Sequence, residues 1–169
     1  MLLPERKTTR LSPSNYHGRH LYFVTLCCFE RRKVFRVAFR CRWLLEFIQM
    51  EATARYFCVP AYCIMPDHCH LLLEAIDESS DLLHFMKSLK IKTSRRFWEQ
   101  ERQPLWQRSY FDHILRRSEE IESVAWYIWL NPVRKGLVRQ PQDYTFAGSL
   151  TGLQMPPGWK TLDWKPDGG

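Results

Sequence analysis

The chain has 169 residues, of which 45% are hydrophobic and 14% aromatic, and this composition indicates one globular domain and excludes an intrinsically disordered protein. Its 25 lysines and arginines outnumber its 18 acidic residues, and the resulting net charge of +7 favours a polyanionic partner such as nucleic acid or an anionic membrane surface. No stretch approaches about 18 consecutive apolar residues, so no membrane-spanning helix is expected. The N-terminus is too short and too charged for a signal peptide, and this predicts a cytoplasmic location.

The first half of the chain alternates strands with one helix. Residues 1–17 carry prolines and basic residues and predict an arm. Residues 20–29 are aromatic and β-branched and predict a strand, whereas helical spacing of apolar residues from about 38 to 56 predicts a helix. Residues 57–65 and 68–75 predict two further strands, joined as a hairpin by the tight turn at Pro66-Asp67.

The second half predicts a basic helix, a strand and a last helix. Residues 82–99 form the basic helix, and Tyr110 to Arg116 forms the strand. Ser118 is a suitable N-cap for a helix that runs to about Asn131 and ends at Pro132. The order β-α-β-β-α-β-α predicts an α+β, ferredoxin-like sandwich, with an antiparallel sheet of four to five strands and helices on one face. We expect the domain to span residues 18–150, followed by a tail at 151–169.

The sequence His68-Cys69-His70 lies in the third predicted strand. Side chains alternate along a strand, so both imidazoles point to one face, while Cys69 points to the other. Two imidazoles on one rigid face are suited to binding a divalent metal. The six cysteines form no CxxC pair and are expected to be reduced, and a zinc site of Cys63 with the two histidines is a weaker alternative.

Tyr127 and Asn131 are four residues apart on the last predicted helix, so they are neighbours on one face. A phenol and an amide that project together can act as nucleophile and metal ligand. Taken by themselves they fit ordinary roles better, because a tyrosine beside an apolar stripe usually packs and an asparagine before proline usually ends a helix.

Three segments of the chain carry a family resemblance: MPDHCHLLLE, LWQRSYFDHILR and WYIWLNPVRKGLV. In this order and spacing they resemble the single-tyrosine transposases of the HUH superfamily, and most of all the REP-associated tyrosine transposases. His68-Cys69-His70 corresponds to the His–hydrophobic–His motif. Tyr127 to Val133 matches the family's Tyr-Ile-x-x-Asn-Pro-Val motif, and the resemblance covers roughly residues 18 to 150. Asp67 departs from the asparagine that often precedes the first histidine.

The resemblance implies sequence-specific cleavage and rejoining of single-stranded DNA during transposition. Tyr127 would attack a backbone phosphate and form a 5′-phosphotyrosine with a free 3′-OH. His68, His70 and Asn131 would hold Mg²⁺ or Mn²⁺. The implied partner is single-stranded or hairpin DNA, bound by a monomer or homodimer in the bacterial cytoplasm or nucleoid.

Basic side chains in two regions are candidates for contacting the DNA. A solvated helix face explains any one of them about equally well. The main candidates are Lys87, Lys90, Lys92, Arg95 and Arg96 on the basic helix. Weaker candidates are Arg31 and Arg32 after the first strand, and Arg116, Arg117, Arg134 and Lys135.

Two alternatives from other classes remain open. A non-catalytic protein could grip hairpins or single strands without cutting them, although it would not need the histidines, Tyr127 and Asn131 together. A zinc-dependent hydrolase would need an acidic base near the metal, for which only Asp67 and Glu74 are available.

Overall fold

A computed structural model describes residues 12–157 and 162–166 of the chain. The elements, in chain order, are β1 (Leu21–Cys27), α1 (Ala38–Ala54), β2 (Phe57–Met65), β3 (His68–Ala75), α2 (Leu82–Glu101), β4 (Phe111–Ile114), α3 (Ile121–Trp129), α4 (Asn131–Arg134) and β5 (Ala147–Gly148). All five strands pair antiparallel in the order β4-β1-β3-β2-β5. The predicted α+β fold and its β-α-β-β-α-β-α order are therefore confirmed.

Strand β3 lies at the centre of the sheet, between β1 and β2. His70 is opposite Thr25 on β1 and Cys63 on β2, and His68 is opposite Cys27 and Met65. The hairpin turn at Pro66-Asp67 sets this register. As predicted, alternate residues of β3 face opposite sides of the sheet.

The two faces of the sheet are covered by different helices. Helices α1 and α2 pack together on one face, where Leu71 and Leu73 of β3 lie in the core. The prediction of helices on one face is confirmed for this pair. Helix α3 packs against the opposite face through Val124 and Ile128, which join Leu72 in a second core. The histidines lie on this second face, because they alternate with Leu71 and Leu73 along β3.

The outer edge of β2 is covered by residues 144–150. Strand β5 pairs with Tyr62 and Cys63, and the Leu150 backbone N–H donates to the Val59 carbonyl over 2.9 Å. A strand of two residues has no sequence period, which is why β5 was not predicted. Pairing of the edge removes a row of free backbone groups that would otherwise attract another strand.

Several predicted boundaries are wrong; for example, the strand predicted over Tyr110 to Arg116 spans only Phe111–Ile114. Strand β1 ends at Cys27 instead of 29, because Glu30 and Arg31 turn the chain with φ angles of 53° and 56°. Ser118 is not the N-cap of α3, which begins at Ile121 after Glu120. The helix ends at Trp129, and Asn131 begins α4, so the two are separated by Leu130.

The predicted arm and tail are described only in part. Residues 1–11 of the arm lie outside the described residues, while Tyr16 is only 2% exposed and packs in the first core. Of the tail, residues 151–157 and 162–166 are described and contain neither helix nor strand. In the part of the chain that is described, no helix has the length and apolar character needed to cross a membrane.

Candidate active site

His68 and His70 form the centre of the site, on the face of the sheet that α3 covers. Each residue is 7% exposed. Their ring centroids lie 4.7 Å apart with an interplanar angle of 78°, a separation at which two imidazoles can share one ion. The strand alternation predicted from the sequence therefore places the two rings side by side.

The Nδ1 atom of each histidine is already engaged by a neighbouring side chain. An Asp67 carboxylate oxygen lies 2.6 Å from Nδ1 of His68, and the Thr25 hydroxyl lies 2.8 Å from Nδ1 of His70. A carboxylate only accepts, so His68 donates from Nδ1 and, when neutral, keeps a lone pair on Nε2. Such partners orient histidines for metal binding. Asp67, which departs from the family motif, therefore orients the imidazole of His68 through its carboxylate.

Burial and charge keep both imidazoles neutral. Burial lowers the pKa of His68, and the hydrogen bond from Asp67 only partly opposes this. Burial lowers the pKa of His70 further, assisted by the nearby His68, Arg134 and Arg31. The neutral imidazole is the form that binds metals.

Tyr127 lies beside the histidines on α3. Its ring centroid is 6.4 Å from that of His70 and 5.7 Å from that of Phe23 on β1. The residue is partly exposed, at the edge of the buried stripe of α3, as predicted. The fold therefore gathers His68, His70 and Tyr127, which come from two elements more than 50 positions apart in the sequence, into one site.

Asn131 lies one turn after Tyr127, at the start of α4, and is 5% exposed. Leu130, between the two helices, keeps near-helical angles (φ −74°, ψ −9°), so the spacing of one turn survives the break. The role of Asn131 as a metal ligand stays a prediction.

Arg134 holds Tyr127 from the solvent side. Its guanidinium carbon lies 4.2 Å above the centre of the phenol ring, and Nη1 donates to the Tyr127 carbonyl over 3.0 Å. From the sequence, Arg134 is only one of the weaker candidates for a DNA contact. Its spacing of seven residues from Tyr127, two helical turns, is the signal that could have indicated the contact.

Trp164 of the tail covers the other side of Tyr127. The two ring centroids are 5.1 Å apart, and the indole is 7% exposed. Its Nε1 donates to the carboxylate of Glu119 over 2.5 Å. The sequence does not predict this contact, because no local pattern relates Glu119 to a residue 45 positions away.

The two histidines fit a divalent metal, because they are adjacent and each is held by a hydrogen bond at Nδ1. Asn131, one turn after Tyr127, stays a predicted third ligand. Within the described residues, no three His, Cys, Asp or Glu side chains are grouped as ligands, so the alternative zinc site with Cys63 gains no support.

The basic candidates of α2 lie on the opposite face of the sheet. Lys90 donates to the carbonyls of Gln107 and Arg108, and Lys92 pairs with Glu51. Arg96 stacks over Trp43. The remaining two, Lys87 and Arg95, are exposed, with Arg95 paired to Glu99 at 3.2 Å.

Arg31 and Arg32 lie after β1, near the end of the sheet that carries His68. Arg31 is 3.7 Å from the Asp67 carboxylate. Arg32 bonds to Gln103 and to the carbonyl of Pro104. Contact of any of these cations with DNA stays a prediction.

Known proteins resemble the chain in sequence. The family described as "Transposase IS200 like" matches residues 17–131, more than half of the chain. A Haemophilus influenzae protein, assigned as a REP-associated tyrosine transposase, is 26% identical over 141 residues, with 75% of this chain and 78% of the relative covered. The REP-associated tyrosine transposase of Escherichia coli K12 is 24% identical over 113 residues, with 67% and 66% covered.

Solved structures share the fold. A REP-associated tyrosine transposase bound to a REP hairpin superimposes with a TM-score of 0.69 at 21% identity, covering 90% of this chain and 89% of that one. A Deinococcus radiodurans protein, assigned as a transposase, gives a TM-score of 0.51 at 25% identity and covers 66% of this chain and 88% of its own.

Proposed function

The chain belongs to the IS200-like transposase family, and we propose that it cleaves and rejoins single-stranded DNA with Tyr127 as the nucleophile. Family membership makes it a transposase; the chemistry assigned to particular residues is our proposal. The observation that supports it most is the position of the Tyr127 ring, 6.4 Å from the buried and oriented His70.

In the proposed reaction, the Tyr127 hydroxyl oxygen attacks a backbone phosphorus. The bond from phosphorus to the 3′ oxygen breaks, which leaves a 5′-phosphotyrosine and a 3′-OH. A later attack by a 3′-OH reverses the exchange and releases the tyrosine. Each step exchanges one phosphoester for another, so rejoining needs no nucleotide cofactor.

His68, His70 and Asn131 are the proposed ligands of the metal. Mg²⁺ or Mn²⁺, when bound there, would polarise the phosphate and stabilise the charge that develops on it. Asp67 and Thr25 keep the two imidazoles oriented through their Nδ1 atoms. Imidazole ligands favour Mn²⁺ over the harder Mg²⁺.

The charges around the site suit a nucleic acid. Arg31, Arg134 and Lys135 all lie close enough to depress the pKa of His70. Their positive potential would attract a phosphate backbone to the Tyr127 face of the sheet. The DNA-bound structural relative carries a REP hairpin, and we propose a hairpin with a single-stranded flank as the substrate, bound in the bacterial cytoplasm or nucleoid.

A denaturing gel tests the nucleophile. Purified protein with labelled hairpin DNA and Mn²⁺ should give a protein–DNA adduct, and Tyr127→Phe should abolish it. Tyr110→Phe is the matched control, because it removes the hydroxyl of another tyrosine of the chain, and its adduct should persist. His68→Ala should lose the adduct and retain DNA binding. Wild-type protein that binds hairpins and never forms an adduct would instead establish a non-catalytic DNA-binding protein.

A further inference from the structure

Trp164 occupies a defined seat beside the nucleophile. We use the term Trp164 seat for the surface formed by Phe23, His113, Glu119 and Tyr127. The indole centroid lies 5.3 Å from that of Phe23, 5.1 Å from that of Tyr127 and 5.9 Å from that of His113. Its Nε1 donates to the Glu119 carboxylate over 2.5 Å. The seat can therefore stack a flat group against aromatic rings, and the Glu119 carboxylate can accept a hydrogen bond from the edge of that group.

The carboxylate of Glu119 is held by hydrogen bonds to His113 and to the Arg116 backbone. One oxygen accepts from the Arg116 backbone N–H at 2.6 Å, and both oxygens lie within 3.1 Å of Nε2 of His113. Partial burial acts to raise the pKa of Glu119, but these hydrogen bonds and the one from Trp164 lower it. An ionised, oriented acceptor thus faces the seat.

This part of the tail packs through the buried Trp164 and the partly buried Leu162, both of which belong to the second core. Among residues 162–166, only Trp164 is buried, and its neighbours Asp163 and Lys165 are exposed. This segment has no helix or strand backbone of its own. The indole can therefore leave the seat without disrupting an element of the fold.

An indole and a nucleobase present similar groups. Both are flat and stack on aromatic side chains, and both place an N–H donor at the ring edge. A carboxylate accepts from the exocyclic amine of a base such as cytosine. Thymine has no exocyclic amine, and its N3–H lies between two carbonyl oxygens that a carboxylate would repel.

We propose that the Trp164 seat is a nucleobase subsite for a nucleotide next to the cleaved phosphate, in which Glu119 selects adenine, cytosine or guanine over thymine. This inference rests on the proposed function, because the base reaches the seat only if the strand passes over Tyr127. Trp164 and the base use the same surface, so DNA enters the subsite as the indole leaves it.

Binding of fluorescent DNA tests the subsite without cleavage. The full-length Tyr127→Phe protein keeps the phenyl ring and is used without metal. A hairpin carries 2-aminopurine at one position of its single-stranded flank, and the position is moved along the flank. Stacking in the seat should quench the fluorescence at one position. Adding Trp164→Ala should tighten binding there by roughly fivefold to 100-fold, the range that stacking of one base provides.

Trp98→Ala is the matched control for the loss of a tryptophan. Trp98 is 49% exposed on α2, across the sheet from the seat, so its removal should leave the quenching at that position unchanged. Thermal unfolding checks that both variants remain folded.

Base preference tests Glu119 and does not depend on the Trp164 variant. At the quenched position, we expect thymine to bind about tenfold more weakly than the other bases. Glu119→Gln should remove this difference, because an amide can donate to a thymine carbonyl as well as accept.

Failure of the subsite and failure of the proposed cleavage give different results. Equal affinity for all four bases, or no quenched position in the Trp164→Ala protein, would overturn the subsite even if Tyr127 forms an adduct. Quenching with discrimination against thymine would support the subsite even if wild-type protein never forms an adduct.

Discussion

Tyr127 is held from three directions by single residues. Phe23 packs against it from the sheet, Trp164 from the tail, and Arg134 from the solvent side. Arg134 also donates to the Tyr127 carbonyl, so one guanidinium touches both the ring and the backbone of the same residue. A planar guanidinium can stack flat on a ring while an N–H at its edge donates, whereas a lysine ammonium has no flat face to stack. We therefore interpret Arg134 as a residue that positions the proposed nucleophile, Tyr127.

Arg134→Lys should slow adduct formation by about tenfold, the loss expected when a cation–π contact that orients a reacting group is removed. DNA affinity should change much less, because the positive charge remains. Single-turnover adduct rates and binding constants, measured separately on the same hairpin, distinguish the two effects.

Lys135→Gln is the control for Arg134→Lys. Lys135 is the adjacent exposed cation, and no ring contact is recorded for it in the described part of the chain. Its loss should weaken binding slightly and leave the adduct rate at saturating DNA unchanged. Equal rates for wild type and Arg134→Lys would show that Arg134 does not orient Tyr127.

At the scale of elements, Glu51 joins α1 to α2. Its side chain is 1% exposed, accepts from Arg55 over 2.9 Å on its own helix and pairs with Lys92 on α2. Burial acts to raise the pKa of Glu51, but the hydrogen bonds from Lys92 and Arg55 prevail and lower it below its ordinary value of 4.5. The ionised carboxylate therefore stabilises the packing of the two helices.

Glu51→Gln should lower the free energy of unfolding by about 1–3 kcal/mol at pH 7, since both cations lose their ionic partner but can reach solvent. A carboxylate with a lowered folded-state pKa stabilises the protein above its ordinary pKa and loses this effect as the pH falls through the folded-state pKa. The difference between wild type and variant should therefore shrink below pH 4.5. Urea unfolding at several pH values measures it.

Glu46→Gln, on the exposed side of α1, is the control and should change stability by less than about 0.5 kcal/mol. A difference between wild type and Glu51→Gln that stays constant down to pH 3 would mean that the charge of Glu51 does not stabilise the helix pair.

The elements that the sequence predicted best are those with a strong local period. Strands β2 and β3 begin and end where the apolar runs do, and the alternation around Cys69 placed both histidines on one face. The start of α3 was missed because Glu119 bonds backward to Arg116 and leaves no side-chain cap. Strand β5 and the Trp164 contact were missed because each depends on backbone or side-chain partners far away in the sequence.

At the scale of the whole molecule, the sheet separates two positively charged regions. Arg31, Arg134 and Lys135 surround the histidines on the α3 face, whereas Lys87 and Arg95 are exposed on α2, which packs on the other face. The hairpin that we propose as substrate has two parts that could contact these regions: a duplex stem and a single-stranded flank. We expect the stem to contact α2 and the flank to cross the Tyr127 face.

The salt dependence of DNA binding can test whether the stem contacts α2. For duplex DNA, each phosphate contact contributes about 0.9 to the slope of log K, the binding constant, against the logarithm of the salt concentration. The double variant Lys87→Gln/Arg95→Gln should reduce the slope for a hairpin by about 1.8 if both cations contact the stem. The slope for a single strand without a stem should not change. Fluorescence anisotropy over a range of salt concentrations measures both.

The control for Lys87→Gln/Arg95→Gln is a variant that removes the same number of positive charges at another place on the surface. Arg19→Gln/Arg139→Gln also removes two exposed cations, so any general effect of net charge on the +7 chain is matched. A contact at α2 predicts that the first pair of substitutions changes the hairpin slope and the second does not. Equal slopes for the two double variants would place the stem away from α2, and the basic helix would then be a solvated face. Because α2 and Tyr127 lie on opposite faces, that result would confine the whole DNA path to the face that carries the histidines.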